Sequence, residues 1–349
     1  MDAKITKQRL SRMLSYDWLK IIGMIVAICL VWSLVFTMTA TQITPTQKFY
    51  MYSYKDTYFT NSFSKLYQKD VFSYEVIEVT TESLSSDINT ILEARFTVGE
   101  GDLMFMPHAK NASDSYEMKD SEGNVIKDEN GEVVYGYNNY TQTFANGRVR
   151  YLYDLEGDGG YFANMEVYLS KYFGTDWKTG ELDEAKVKAD FRARVKKDKR
   201  YKTEAQLLQG EKDDIARLEK YRAALIEFYG YQDAELVAFE TVTVENGNGE
   251  AKDYTCYLNL NPVKEVVGED GSVSYTEMNP GIEKYLNYYE DYTTADGKTA
   301  KRSTSKNMCV GFLNFQSLEK KYRVVEGFQY EALLFVNQLI AAGQSVQKA

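Results

Sequence analysis

The chain has 349 residues, 44% hydrophobic and 14% aromatic, enough apolar mass for one large or two moderate cores and far too aromatic for a disordered chain. Its formal charge is −10, although residues 1–20 are basic, with Lys4, Lys7, Arg9, Arg12 and Lys20 against Asp2 and Asp17. The remainder is therefore strongly acidic, repels phosphates and excludes nucleic acid as a partner.

Residues 21–40 read IIGMIVAICLVWSLVFTMTA, twenty residues without a charge. About 20 apolar residues cross the hydrocarbon core of a bilayer. The basic residues lie before them, so residues 1–20 are expected in the cytosol and the rest outside. A cleaved secretory signal has a shorter apolar run and small residues at its cleavage site, whereas Met38 stands two before Ala40. The expectation is an uncleaved signal-anchor in the cell membrane. A polar linker, 41–48, reaches at most ~28 Å when extended, which keeps the body close to the bilayer. The body is expected over 49–342, with a flexible tail at 343–349.

Past the linker, KFYMYSY (48–54) reads as a strand, TYFTNSFSKLYQ (57–68) as a helix and SYEVIEVTT (73–81) as a strand. SLSSDINTILEARF (83–96) puts Leu84, Ile88, Ile91, Leu92 and Phe96 on one helical face, with Ser85 or Ser86 as N-cap. GEGD then turns into LMFMP (103–107), a strand apolar enough to be buried on both faces. Strands alternating with helices predict right-handed crossovers and a parallel sheet. Open sheets of this kind take ligands beyond the carboxyl ends of their strands. Tyr54, Asp56, Met106 and His108 are therefore the candidate ligand-binding residues.

The pieces LEARF (92–96), Gly99 and Asp102 of GEGD, LMFMP and the closing stretch FQYEALLFVNQLIAA (328–342) give the chain a resemblance. It resembles the extracellular solute-binding proteins of ABC importers, with their type II periplasmic-binding fold, over about residues 47–115 and 235–342. The proline usual before the aspartate is missing, and a transmembrane anchor stands in place of a lipidated cysteine. The resemblance implies a two-lobed α/β domain with mixed sheets, a small-molecule ligand captured in a cleft and a membrane permease as partner.

The middle departs from that pattern. Residues 118–137 carry two turn signals and predict a β-hairpin excursion. Residues 182–229 read as a helical hairpin in the second lobe, with Thr203 and Gln206 in a capping-box pattern. Strands are expected at 236–244 and 254–260, a short helix at 281–290 and a last strand at 307–315. Cys256 and Cys309 stand in apolar runs. Outside the cell they are able to pair, but buried free thiols are the commoner use.

Few signals for chemistry stand out. Asp154, Glu156, Asp158 and Gly159 resemble the start of a calcium loop, but position twelve is Met165 where a bidentate glutamate belongs, which leaves a solvated acidic turn as the better reading; DENGE (128–132) reads the same way. The basic stretch 191–202 offers Arg192, Arg194, Lys196, Lys197, Lys199 and Arg200 to an anionic surface, or forms the wet face of a helix. LNYYEDY (286–292) and YGYNNY (135–140) offer rings to a sugar, or sit in half-buried strands. No nucleophile elbow, phosphate loop or zinc signature is present, so no catalytic residue, metal or cofactor is expected. The leading expectation is a non-enzymatic, membrane-anchored solute-binding protein for an ABC-type importer. The alternatives are a cell-envelope scaffold on the same fold and, behind it, a carbohydrate-active enzyme.

Overall fold

The structure, a computed structural model, describes residues 7–39, 47–54, 56–67, 70–84, 90, 92–95, 100–108, 115–117, 123–127, 131–133, 135–137, 140–198, 200–245, 247–268, 271–293, 299–314 and 327–347. The chain divides into two units, Met1–Thr44 and Pro45–Ala349.

The described residues of the first unit form a single helix, α1 (Lys7–Thr39), about 50 Å long at 1.5 Å per residue. Its stretch Trp18–Phe36 has a mean hydropathy of 2.5, and none of it is buried in the protein. It is the one such helix among the described residues and is, by length and composition, a membrane anchor or a signal sequence.

The second unit is mixed α/β. It opens with β1 (Lys48–Tyr54), β2 (Thr57–Phe59), β3 (Glu78–Leu84) and β4 (Leu103–Pro107), followed by the short strands β5 (Ser115–Glu117) and β6 (Tyr135–Tyr137). Four helices come next: α2 (Tyr140–Ala145), α3 (Tyr161–Phe173), α4 (Glu184–Val195) and α5 (Glu204–Asp233). Then come β7 (Ala238–Glu245), β8 (Ala251–Asn259), β9 (Val263–Val267), β10 (Val273–Glu277), β11 (Leu286–Thr293), β12 (Thr299–Thr304) and β13 (Met308–Phe312), and the chain closes with α6 (Glu331–Gln347).

The main sheet has the order β3-β1-β4-β13-β8-β7. β1 pairs in parallel with β3, from Lys48↔Glu78 to Tyr54↔Leu84, and with β4 from Met51↔Leu103. β13 runs antiparallel to both β4 and β8, and β7 is antiparallel to β8. The alternation in KFYMYSY explains the layering. Phe49 and Met51 join one buried cluster with residues of α3, α5 and α6, while Tyr50, Tyr52 and Tyr54 join another beneath Leu92 and Phe144. A strand apolar on both faces belongs in a sheet covered on both sides. LMFMP is such an inner strand, buried at all five positions between β1 and β13.

The Asp102 carboxylate of GEGD accepts the Tyr50 main-chain N–H at 2.8 Å and ties the start of β4 to β1. Burial pushes its pKa up to about 7. The folded protein therefore takes up this proton as pH falls through about 7, while the unfolded chain does so only near 4. Stability from this group rises as pH falls across that window, by at most about 4 kcal/mol. Asp102→Asn, which keeps an acceptor, is expected to be more stable than wild type at pH 8 and to lose this part of the slope. Urea unfolding at pH 8 and pH 5 reads the difference.

Several expected elements differ in the structure. In place of a helix over 57–68, the described residues 57–67 hold β2 and a 3-10 turn, Phe63–Lys65. Thr57, Tyr58 and Phe59 pair with β11, while Phe63 and Leu66 still reach the core, because a spacing of three serves a 3-10 turn as well as a helix. The second strand begins at Glu78, since the Ser73 amide bonds the Glu331 side chain at 2.7 Å and leaves no ladder there. Thr90 and Leu92–Arg95 are helical as expected, but the proposed caps Ser85 and Ser86 lie outside the described residues. Residues 281–290 split into a 3-10 turn, Pro280–Lys284, and the tyrosine-rich strand β11.

The tail expected from 343 is helical to Gln347. Gly343 does not end α6, because it is the point at which the helix meets the 3-10 turn. A Cβ on Gly281 would stand 2.0 Å from the Gly343 carbonyl oxygen. Gly281→Ala is accordingly expected to cost about 1–3 kcal/mol in denaturant unfolding. The helical hairpin is present as α4 and α5, with the capping box of Thr203 and Gln206 formed. The excursion is antiparallel where it is described, with β5 on β6 and a Lys127↔Val133 bridge. The helix α3 and the strands β9 to β12 have no counterpart in the sequence reading, apart from the tyrosines of β11. Cys256 and Cys309 are both buried and neither is in a disulfide, and burial pushes the Cys256 thiol up to about 12.

Candidate functional site

The three parallel strands β3, β1 and β4 end at Leu84, Tyr54 and Pro107. The chain crosses from β1 to β3 on one side and then to β4 on the other, so the switch point of the sheet lies between β1 and β4. The helix α2 lies across these tips. Tyr54 is buried, with its ring edge-on to Tyr140 at 5.8 Å and to Phe144 at 5.6 Å. Asp56 is exposed and accepts the Tyr140 hydroxyl at 2.6 Å. Met106 is fully buried beneath.

His108 follows β4, and its amide bonds the Asn307 carbonyl at 2.9 Å. Its Nδ1 lies 2.6 Å from Thr141 Oγ1 and its Nε2 3.6 Å from Glu240 Oε2. The other Glu240 oxygen accepts from Asn259 Nδ2 at 2.8 Å, and the same nitrogen donates to Asn307 Oδ1 at 3.1 Å. Tyr257 closes the group by donating to the Thr141 carbonyl at 3.0 Å. Thr141, His108 and Glu240 stand in the order hydroxyl, imidazole, carboxylate. Thr141 is fully buried, so its hydroxyl has no access to a substrate. The α2 helix thus gathers Tyr54, Asp56 and His108 at one end of the sheet and fills the crevice that they border. Thr141, Glu240, Asn259 and Asn307 were missed in sequence because each is an isolated polar residue with no motif around it.

An open groove of about 1050 Å³ lies elsewhere, bordered by Gln47 before β1, Ser73–Glu75 before β3, and the helices α4 and α5. It therefore sits at the amino ends of the parallel strands, opposite to α2. On its floor Arg194 and Arg217 share the buried Asp214; Arg194 bonds one carboxylate oxygen at 2.6 Å and Arg217 the other. The Arg217 guanidinium lies over the Tyr74 ring, 3.7 Å from its centroid. Behind them Glu331, fully buried, accepts from the Ser73 amide, the Ser73 hydroxyl and the Tyr221 hydroxyl, and burial raises its pKa.

The basic stretch runs along this groove. Arg192 is engaged by Glu204 and Glu211, Arg194 by Asp214 and Arg200 by Asp198, while Lys196 and Lys197 are exposed and Lys199 lies outside the described residues. Asp154, Glu156, Asp158 and Gly159 form the turn into α3, with the Tyr161 amide on the Asp154 carbonyl at 2.7 Å. Among the described residues no group of three or more His, Cys, Asp or Glu is placed to hold a metal ion. In β11, Tyr289 is exposed and stacks on Tyr58 at 4.9 Å, whereas Tyr288 is buried. No protein-family model, curated protein or solved structure matches the chain.

Proposed function

We propose that the protein is a single-pass, membrane-anchored subunit of the bacterial cell envelope that works by binding, outside the cytosol, and performs no chemistry. In this reading α1 anchors it, residues 1–20 face the cytosol, and the unit from Pro45 onward stands outside as a scaffold for other envelope components. One observation carries the reading: the crevice at the tips of β1 and β4 is filled by Tyr140, Thr141 and Phe144 of α2. A sheet closed in this way offers partners its surface at that end, not a ligand cavity. Crosslinking in intact cells, followed by identification of the captured proteins, is the test. Wall or assembly proteins are the expected catch, and recovery of a permease with its ATPase would overturn the reading. Protease added outside intact cells is expected to remove the acidic domain and spare the amino terminus.

A second reading, two lobes capturing a solute for an ABC-type importer, is favoured by the switch point between β1 and β4. The two part company on neutral sugars. The scaffold leaves the melting temperature of the full chain unchanged. A rise of several degrees, abolished by His108→Ala, would establish solute capture.

A further inference from the structure

The strands β9 and β10 form a sheet of their own, apart from the main sheet. Residues 265–267 and 271–276 are exposed, so neither face of this hairpin is covered. Outside α1, nine large apolar side chains are exposed among the described residues, and four of them, Val266, Val267, Val273 and Tyr275, stand here. A bare two-stranded hairpin is at best marginally stable in water, and it gains from a further strand.

The register fixes which main-chain groups are bare. The Met278 amide bonds the Pro262 carbonyl at 3.0 Å, and the Gly268 amide bonds the Ser272 carbonyl at 2.7 Å. Opposed residues of an antiparallel ladder are hydrogen-bonded in alternate pairs. With Val273 opposite Val267 and Glu277 opposite Val263, the bonded pairs are therefore Lys264–Thr276 and Val266–Ser274. Val273, Tyr275 and Glu277 turn their N–H and C=O groups outward along β10, as Val263, Glu265 and Val267 do along β9. Among the described residues no strand pairs with either edge.

We propose that β10 pairs with β10 of a second copy, antiparallel about a twofold axis at Tyr275, so that two hairpins join into one four-stranded sheet. In this register Tyr275 opposes its own copy and Val273 opposes Glu277 of the second copy. All three are outward-bonding residues, so each bare group on the edge meets a donor or an acceptor. Tyr275 also lies diagonal to Val273 of the second copy, an aromatic and β-branched contact of the kind that stabilises paired strands. The one charge on β10, Glu277, falls at the end of the pairing, where it accepts from Asn261 Nδ2 at 2.7 Å and opposes a valine. The β9 edge does not suit the same pairing, because Glu265 at its centre would oppose Glu265. Joining β9 of one copy to β10 of the next would build open filaments, whereas the β10 twofold closes. It leaves outside only the β9 edges, each guarded by Glu265.

Sedimentation of the full chain in nonionic detergent tests this, and a dimer that dissociates on dilution is expected. Tyr275→Pro removes an outward amide and keeps the bonds to β9, since proline is tolerated where an edge N–H faces away from the ladder. It is expected to weaken the dimer by more than about tenfold, because each copy loses an interchain hydrogen bond. Glu265→Pro, the same change on the β9 edge, is expected to leave the dimer unchanged. Tyr275→Cys in a Cys29→Ser background gives an independent reading, since Cys256 and Cys309 are buried. A bonded pair holds its Cα atoms about 5.5 Å apart, which a disulfide spans. Oxidation with copper phenanthroline is expected to crosslink Tyr275→Cys, and not Glu265→Cys in the same background, on a non-reducing gel. If the prolines unfold the hairpin, the crosslinks decide alone. A monomer at every concentration, which would leave the edge to a strand of another protein, would overturn the proposal. So would filaments, a dimer that Tyr275→Pro leaves intact, or equal crosslinking of the two cysteine variants.

Discussion

Replacing Glu331 by alanine is expected to cost about 3–5 kcal/mol of folding stability, read as a fall in the denaturant midpoint of the full chain. The side chain is fully buried at the start of α6, and four donors converge on it, the Ser73 and Tyr74 amides and the Ser73 and Tyr221 hydroxyls. Alanine removes the acceptor of all four and leaves the two hydroxyls only each other, 3.3 Å apart, and it removes the nearby negative charge that acts on the buried Arg217. Glu331→Gln keeps an acceptor oxygen and is expected to recover more than half of the loss. Equal losses in the two variants would mean that volume, not hydrogen bonding, is what the site needs. Because burial raises its pKa, Glu331, like Asp102, contributes stability that grows as pH falls through its folded pKa toward the ordinary carboxylate range.

Phe335→Ala, one turn further along α6, is expected to cost a similar 3–5 kcal/mol for a different reason. Its ring is fully buried among Phe49 at 5.9 Å, Phe63 at 5.6 Å and Phe72 at 6.3 Å. These partners come from β1, the 3-10 turn and the segment before β3. The cavity therefore opens where three parts of the chain meet, and no single one can collapse to fill it. Phe335→Leu should cost under about 2 kcal/mol by the same measurement. The two substitutions probe one helix through polar and apolar contacts respectively.

The sequence was informative where one physical pattern had one structural meaning. Twenty uncharged residues have few uses, and LMFMP, apolar on both faces, read as the inner strand that it is. Thr203 and Gln206 announced the start of α5 because a capping box satisfies the same two amides wherever it occurs. Legibility failed where aromatic residues blurred the periodicity. Tyr161, Phe162, Tyr168, Tyr172 and Phe173 form the buried stripe of α3 but carry strand-like composition. The tail expected from 343 is helix, and Gly343 within it is a packing contact. At the strand tips the sequence supplied Tyr54, Asp56 and His108, but not the fact that α2, more than thirty residues further along the chain, closes over them. The groove was half visible as the basic stretch of 191–202. What was hidden is that Glu204, Glu211 and Asp214, on the next helix, take up Arg192 and Arg194, since such pairings join separate elements of the chain.

The closure of the strand tips by α2 is the claim on which the functional reading rests, and the chain offers a direct probe of it, since His108 is its only histidine. Carbethoxylation by diethyl pyrocarbonate, followed by mass spectrometry of the full chain, reports the exposure of that one imidazole. With 12% of its side chain exposed and both ring nitrogens facing Thr141 and Glu240, His108 is predicted to react far more slowly in the folded protein than after unfolding in urea. Reaction at the unfolded rate under native conditions would mean that the crevice stands open, and would contradict the account.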